Sequence, residues 1–178
     1  NDDEQTFRVQ YIALVLARGI GGLDEGKILK MALIHDVAEV RSGDFTYVHK
    51  RYVDFHEEKA VKEVFGGTAL ENLTDVLAEY EARECLEAKV VKDADNLDID
   101  LELRELDERG HKMPGYWAEF RKKVRDMSLY TEEATGMWDA VHTARPGDGH
   151  LGLLPTPQPG TAPATEPPTA PRNNGPGG

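Results

Sequence analysis

Residues 69–110 read ALENLTDVLAEYEARECLEAKVVKDADNLDIDLELRELDERG, a run with no proline, no glycine before Gly110 and no period-two alternation. In its second half Val90, Ala94, Leu97 and Leu101 fall three and four apart, which puts them in one stripe on a helix. A run this long exceeds an ordinary globular helix of roughly 10–14 residues. The pattern therefore predicts two helices, with a break around Arg83 to Leu86 and a stop at Gly110.

The rest of the body reads the same way. Residues 4–19, EQTFRVQYIALVLARG, are apolar on most sides and should form a buried helix ending at Gly19. Residues 24–40, DEGKILKMALIHDVAEV, follow a Gly-Gly turn, and Asp24 is suited to cap the helix. Residues 54–67, 115–127 and 131–143 complete the set, and no segment alternates like a strand. The expected fold is an all-α bundle with short connections over residues 1–154.

The chain divides once, near residue 154. From Pro155 to Gly178 it holds eight of the ten prolines and no large apolar side chain. Such a segment buries too little surface to offset its ordering entropy, so a disordered Pro/Gly-rich tail is expected, partly in polyproline II form. The first residue is Asn1 rather than Met, and a missing N-terminal segment is expected. A single cysteine, Cys85, excludes an internal disulfide and fits a reducing, cytoplasmic compartment; among charged neighbours it reads as structural. No apolar run approaches the roughly 18 residues of a membrane span. A formal net charge of −12 argues against a nucleic-acid groove, which needs a basic footprint. It leaves room for a small phosphorylated ligand, because a metal ion can neutralise one locally.

Residues 31–45, MALIHDVAEVRSGDF, carry the chemistry. Met31 to Ile34 are apolar and anchor the helix in the core, and then His35, Asp36, Glu39 and Asp44 follow. On a continuous helix His35 and Glu39 share a face, with Asp36 about 100° further round. Buried charges are normally paired or bound to metal, and an imidazole beside a carboxylate suits a divalent transition ion. The residues alone leave a salt-bridged core pair and a metal site equally open. A second acidic segment, VVKDADNLDID at 90–100, places Asp95 at the edge of the apolar stripe, with Asp93 and Asp100 pointing more outward. Alone, most of these acids read as a solvated helix face.

IHDVAEVRSGD followed by VVKDADNL resembles the HD-domain metal-dependent phosphohydrolases, and more narrowly the branch that includes the 5′-deoxynucleotidases. That branch carries E-H-S-x-x-V on a helix, then H-D-x-x-E-x-x-x-G-D, then V-K-x-x-D. The last two elements stand here with their spacing, and the similarity runs to about Trp138. The resemblance implies an HD-type helical bundle and one divalent ion, Mn, Co, Mg, Fe or Zn, held by His35, Asp36 and Asp95. It implies that Glu39 positions or activates the attacking water and that Asp44 stands near the scissile phosphate and leaving group. It implies a small phosphorylated metabolite as partner, a deoxynucleoside 5′-monophosphate, and a homodimer, with no nucleic-acid polymer and no membrane.

One element departs from the pattern. Where the family has a ligand histidine on its first helix, this chain has Gln5, in Glu4-Gln5-Thr6-Phe7-Arg8-Val9. An amide oxygen suits a hard ion and is a poor substitute for imidazole on a transition metal. A weaker site, a preference for Mg or Mn, or lost turnover would each follow. Arg8, one turn from Gln5, is read either as facing a substrate phosphate or as a surface salt bridge. His49 and His56 read as surface histidines. Two other function classes stay open: an HD domain that binds a nucleotide without turnover, and a structural helical module using its acidic surface.

Overall fold

The structure, a computed structural model, describes residues 2–43, 48–54 and 56–144. The first helix, α1 (Asp2–Ile20), forms because Val9, Ile12, Ala13, Leu16 and Ala17 recur three and four apart, and all five are buried. It runs past Gly19 and closes on Gly21, whose φ of 80° suits glycine and whose N–H donates to the Ala17 carbonyl at 2.8 Å. Asp24 then caps α2 (Glu25–Ile34), its carboxylate accepting from the Lys27 N–H at 3.0 Å.

The helix expected through residue 40 stops at Ile34. Beyond it the chain tightens to bonds three residues apart, from Val37 to Ile34 at 3.0 Å and from Glu39 to Asp36 at 2.9 Å. The one-turn α3 (Glu39–Ser42) follows and ends at Gly43, with φ 83°. At 3.6 residues per turn His35 and Glu39 would stand about 40° apart, and at 3.0 per turn about 120°. The shared helix face expected for these two residues is therefore not what brings them together.

After a 3-10 turn at His49–Arg51 come α4 (Glu57–Phe65), α5 (Leu73–Ala82), α6 (Leu86–Glu108), α7 (Met113–Met127) and α8 (Glu132–Thr143). The predicted break falls where expected. Arg83 ends α5 in the left-handed region, with φ 53°, and the Cys85 sulfur accepts from the Ala88 N–H at 3.4 Å to start α6. Cys85 is thus a cap. Gly110, with φ 81°, ends α6, and the His111 N–H closes on the Leu106 carbonyl at 3.0 Å. No strand occurs among the described residues, and none of the described helices is long and apolar enough to cross a membrane. The tail read from Pro155 onward, and the boundary near 154, lie outside the described residues.

Helix α6 is the centre of the bundle and meets α1, α2, α5, α7 and α8. That position corrects the expectation of a solvated acidic face. Val90, Ala94 and Leu97 are buried as expected, but so are Asp93, Asp98 and Asp100. Each buried carboxylate has a partner, as burial of charge requires. Asp93 accepts from the backbone N–H groups of Tyr130 and Thr131 at 2.8 and 2.9 Å and from the Thr131 hydroxyl at 2.7 Å, pinning the start of α8. Asp98 takes both ends of the Arg8 guanidinium, at 2.5 and 3.1 Å. Asp100 takes Arg121 of α7 at 3.0 and 2.6 Å.

Candidate metal centre

The end of α2 delivers His35 into the core, its side chain 1% exposed. Its Nδ1 lies 2.8 Å from the Ala32 carbonyl, so Nδ1 carries the proton and donates it. That leaves Nε2 as the chemically available nitrogen. Nε2 lies 3.0 Å from an oxygen of Asp36 and 3.8 Å from an oxygen of Asp95, which reaches across from α6. Despite the short distance to Asp36, no hydrogen bond of sound geometry satisfies this buried nitrogen.

Burial of the ring works against its charged form, but Asp36, then Asp95, with Ala32 on Nδ1, outweigh it and hold the imidazole pKa above its ordinary value. The cluster is short of positive charge. Lys92 supplies some, its ammonium 2.7 Å from the second oxygen of Asp95.

The donors fit a divalent ion in kind: one imidazole whose other nitrogen is fixed by a backbone carbonyl, and two carboxylates. The 3.0 Å between His35 Nε2 and Asp36 fits as well, while the 3.8 Å to Asp95 is longer than two neighbouring ligands of one ion stand apart. Ligand atoms about 2.1 Å from a common ion stand roughly 3.0 Å apart at octahedral angles and roughly 3.4 Å at tetrahedral ones. As the side chains stand, however, no group of three His, Cys, Asp or Glu among the described residues is arranged to hold an ion. The donors meet in pairs around His35.

Beside them opens a cavity of about 630 Å³, and His35, Asp36 and Glu39 stand on its wall. The wall facing them comes from α5, with Tyr80, Glu81 and Arg83, and Lys92 and Lys62 also reach it. The Tyr80 ring meets His35 edge-on, centroids 6.2 Å apart, and burial followed by the charge of Asp95 pushes its phenol pKa upward. Burial likewise raises Glu81.

Gln5 is half-buried on α1 and is not on this wall; nor is Arg8, whose guanidinium pairs with Asp98. His49 and His56 are exposed and stand off the wall. Asp44 lies outside the described residues. Sequence reasoning missed Tyr80, Arg83 and Lys62. A non-glycine residue at a predicted helix break was the one available signal for Arg83.

The fold is thus a helical bundle that brings an imidazole and carboxylates from separate segments together beside a cavity. Residues 1–137 match the family model HD_3, the HD domain, and the chain belongs to that family. It is 33% identical over 97 residues to the 5′-deoxynucleotidase HDDC2 of Dictyostelium discoideum, covering 51% of each chain. It is 28% identical over 123 residues to the human protein of the same name, covering 66% of this chain and 59% of that one. The chain thus spans between half and three-fifths of these relatives. Among solved structures, a conserved hypothetical protein from Pyrococcus furiosus superposes with a TM-score of 0.66 and 27% identity, over 80% of this chain and 83% of that one. The PH0347 protein from Pyrococcus horikoshii gives 0.63 and 28%, over 78% and 80%.

Proposed function

We propose that the chain is a metal-dependent phosphomonoesterase that releases phosphate from a small phosphorylated metabolite, a deoxynucleoside 5′-monophosphate. The observation that carries this is His35: a buried imidazole with Nδ1 tied to Ala32 and an unsatisfied Nε2 facing Asp36 and Asp95. Membership of the HD family and two relatives named 5′-deoxynucleotidase support the reaction class. His35, Asp36 and Asp95 would hold the ion, with Gln5 near or at a fourth position. When bound, a divalent ion supplies charge that polarises the phosphoryl group. Glu39, on the cavity wall beside them, accepts the proton of the attacking water as the water's oxygen bonds to phosphorus. The bond from phosphorus to the leaving nucleoside oxygen breaks, and Asp44, five residues beyond Glu39, hands that oxygen its proton. A cytoplasmic homodimer belongs to the same reading, on family resemblance.

Binding without turnover is the second reading, and Gln5 in place of the family's histidine favours it. Phosphate release from a deoxynucleoside monophosphate, measured with added Mn or Co alongside metal content, separates the two. Glu39→Ala should keep the metal and lose about 10²- to 10⁴-fold in turnover, whereas Asp36→Ala should lose the metal itself. A parent that binds the ion without releasing phosphate selects the binding reading. An empty Glu39→Ala site would make Glu39 a ligand rather than the base.

A further inference from the structure

The cavity beside His35 is lined by carboxylates, Asp36, Glu39, Glu57, Glu58 and Glu81, so a phosphate dianion entering it needs more positive charge than one bound ion brings. Lys92 is already held by Asp95 at 2.7 Å. Arg8, Arg121 and Arg125 each grip a carboxylate through two short bonds. Arg83 and Arg104 do not, and of these two it is Arg83 that stands on the cavity wall. Arg83 donates Nη1 to the Tyr80 carbonyl, while its Nη2 stands 3.9 Å from Glu81, beyond hydrogen-bond length. Its guanidinium carbon lies over the Tyr80 ring, 3.4 Å from the centroid, and the same ring meets His35 edge-on. The backbone beneath it is left-handed, φ 53° and ψ 25°, at a helix end where glycine is the favoured residue. A side chain is kept in a conformation that works against it, and that side chain is stacked and only 19% exposed on the cavity wall.

We infer that Arg83 is a substrate-positioning residue, whose planar guanidinium receives the phosphate of the ligand opposite His35, Asp36 and Asp95. This rests on the phosphomonoesterase reading for its substrate, though not for its geometry. Fork-shaped donors match two phosphate oxygens, and stacking on Tyr80 fixes the fork before the ligand arrives.

Two variants test it. Arg83→Gly removes the guanidinium and at the same time suits the left-handed backbone; Arg83→Lys keeps the charge and loses the fork. Calorimetric titration with inorganic phosphate, with and without Mn, is compared with thermal melting and Mn content. The expected result for Arg83→Gly is an unchanged or higher Tm, unchanged Mn content and a phosphate Kd raised about 10- to 100-fold. Arg83→Lys should fall between. A parent with no measurable phosphate affinity overturns the inference. So does an Arg83→Gly protein whose Kd stays within about twofold of the parent, and a lower Tm with that unchanged Kd would make Arg83 a helix cap only. If the parent releases no phosphate from deoxynucleoside monophosphates yet Arg83→Gly still weakens phosphate binding, hydrolysis is lost as a reading and the Arg83 assignment stands.

Discussion

At the residue scale the decisive feature is a nitrogen atom. His35 Nε2 is buried, unsatisfied and set between two carboxylates, an arrangement that costs free energy unless a proton or a cation joins it. By family resemblance Gln5 is proposed to stand at a ligand position, where an amide competes poorly with imidazole for first-row ions. Gln5→His should therefore tighten Mn or Co binding by about tenfold or more, the scale of a ligand-sphere change in such sites. Competition against a metal-sensing dye reads it, and equal affinity would show that position 5 makes no contribution. His35, Asp36 and Asp95 were grouped by the resemblance of two sequence elements to a family pattern, not by spacing alone, and the structure brings Asp36 and Asp95 to 3.0 and 3.8 Å from His35. The identities of Asp98 and Asp100 as buried pairs were not legible in the sequence. Their partners Arg8 and Arg121 lie 90 and 21 residues away, and no local periodicity links positions so separated.

At the element scale, the α5–α6 break was readable from length, and its cap shows how it is made. The Cys85 sulfur accepts from Ala88 at 3.4 Å, whereas a hydroxyl oxygen is the stronger acceptor at a helix start. Cys85→Ser should hold or raise the melting temperature, and Cys85→Ala should lose about 1 kcal/mol. A Cys85→Ser protein less stable than Cys85→Ala would contradict the capping role. The stop of α2 at Ile34 was not readable, since His35-Asp36-Val37-Ala38 is compatible with continued helix. It is the tightening after Ile34, and not a shared α-helical face, that carries Glu39 to the cavity wall. Between α6 and α7, Arg121 and Asp100 are 4% and 0% exposed at their side chains. Removing one partner leaves a buried charge uncompensated, so Arg121→Ala should cost about 3–5 kcal/mol in denaturant unfolding. A loss under about 1 kcal/mol would mean that water reaches Asp100 readily.

At the scale of the whole molecule, the central helix explains both the all-α fold and the site. α6 meets five other helices and gives each neighbour a carboxylate or an apolar side chain to pack on. Asp95, 14% exposed, is its contribution to the cluster around His35 of α2. An ion held between them would join two elements far apart in sequence, and binding only the folded form stabilises it by about 2.7 kcal/mol at 100 times Kd. The strongly negative net charge was visible as composition, but the cavity was not, because its walls come from the turn after α2 and from α3, α4, α5 and α6 together. The most direct test is metal stoichiometry after equilibration with Mn and removal of the free ion, for the parent and for Asp95→Ala. The expected result is a single ion per chain in the parent, a Tm that falls on chelation, and an empty, chelator-insensitive Asp95→Ala protein. A parent that retains no ion, or an Asp95→Ala protein that retains one as tightly, would contradict it.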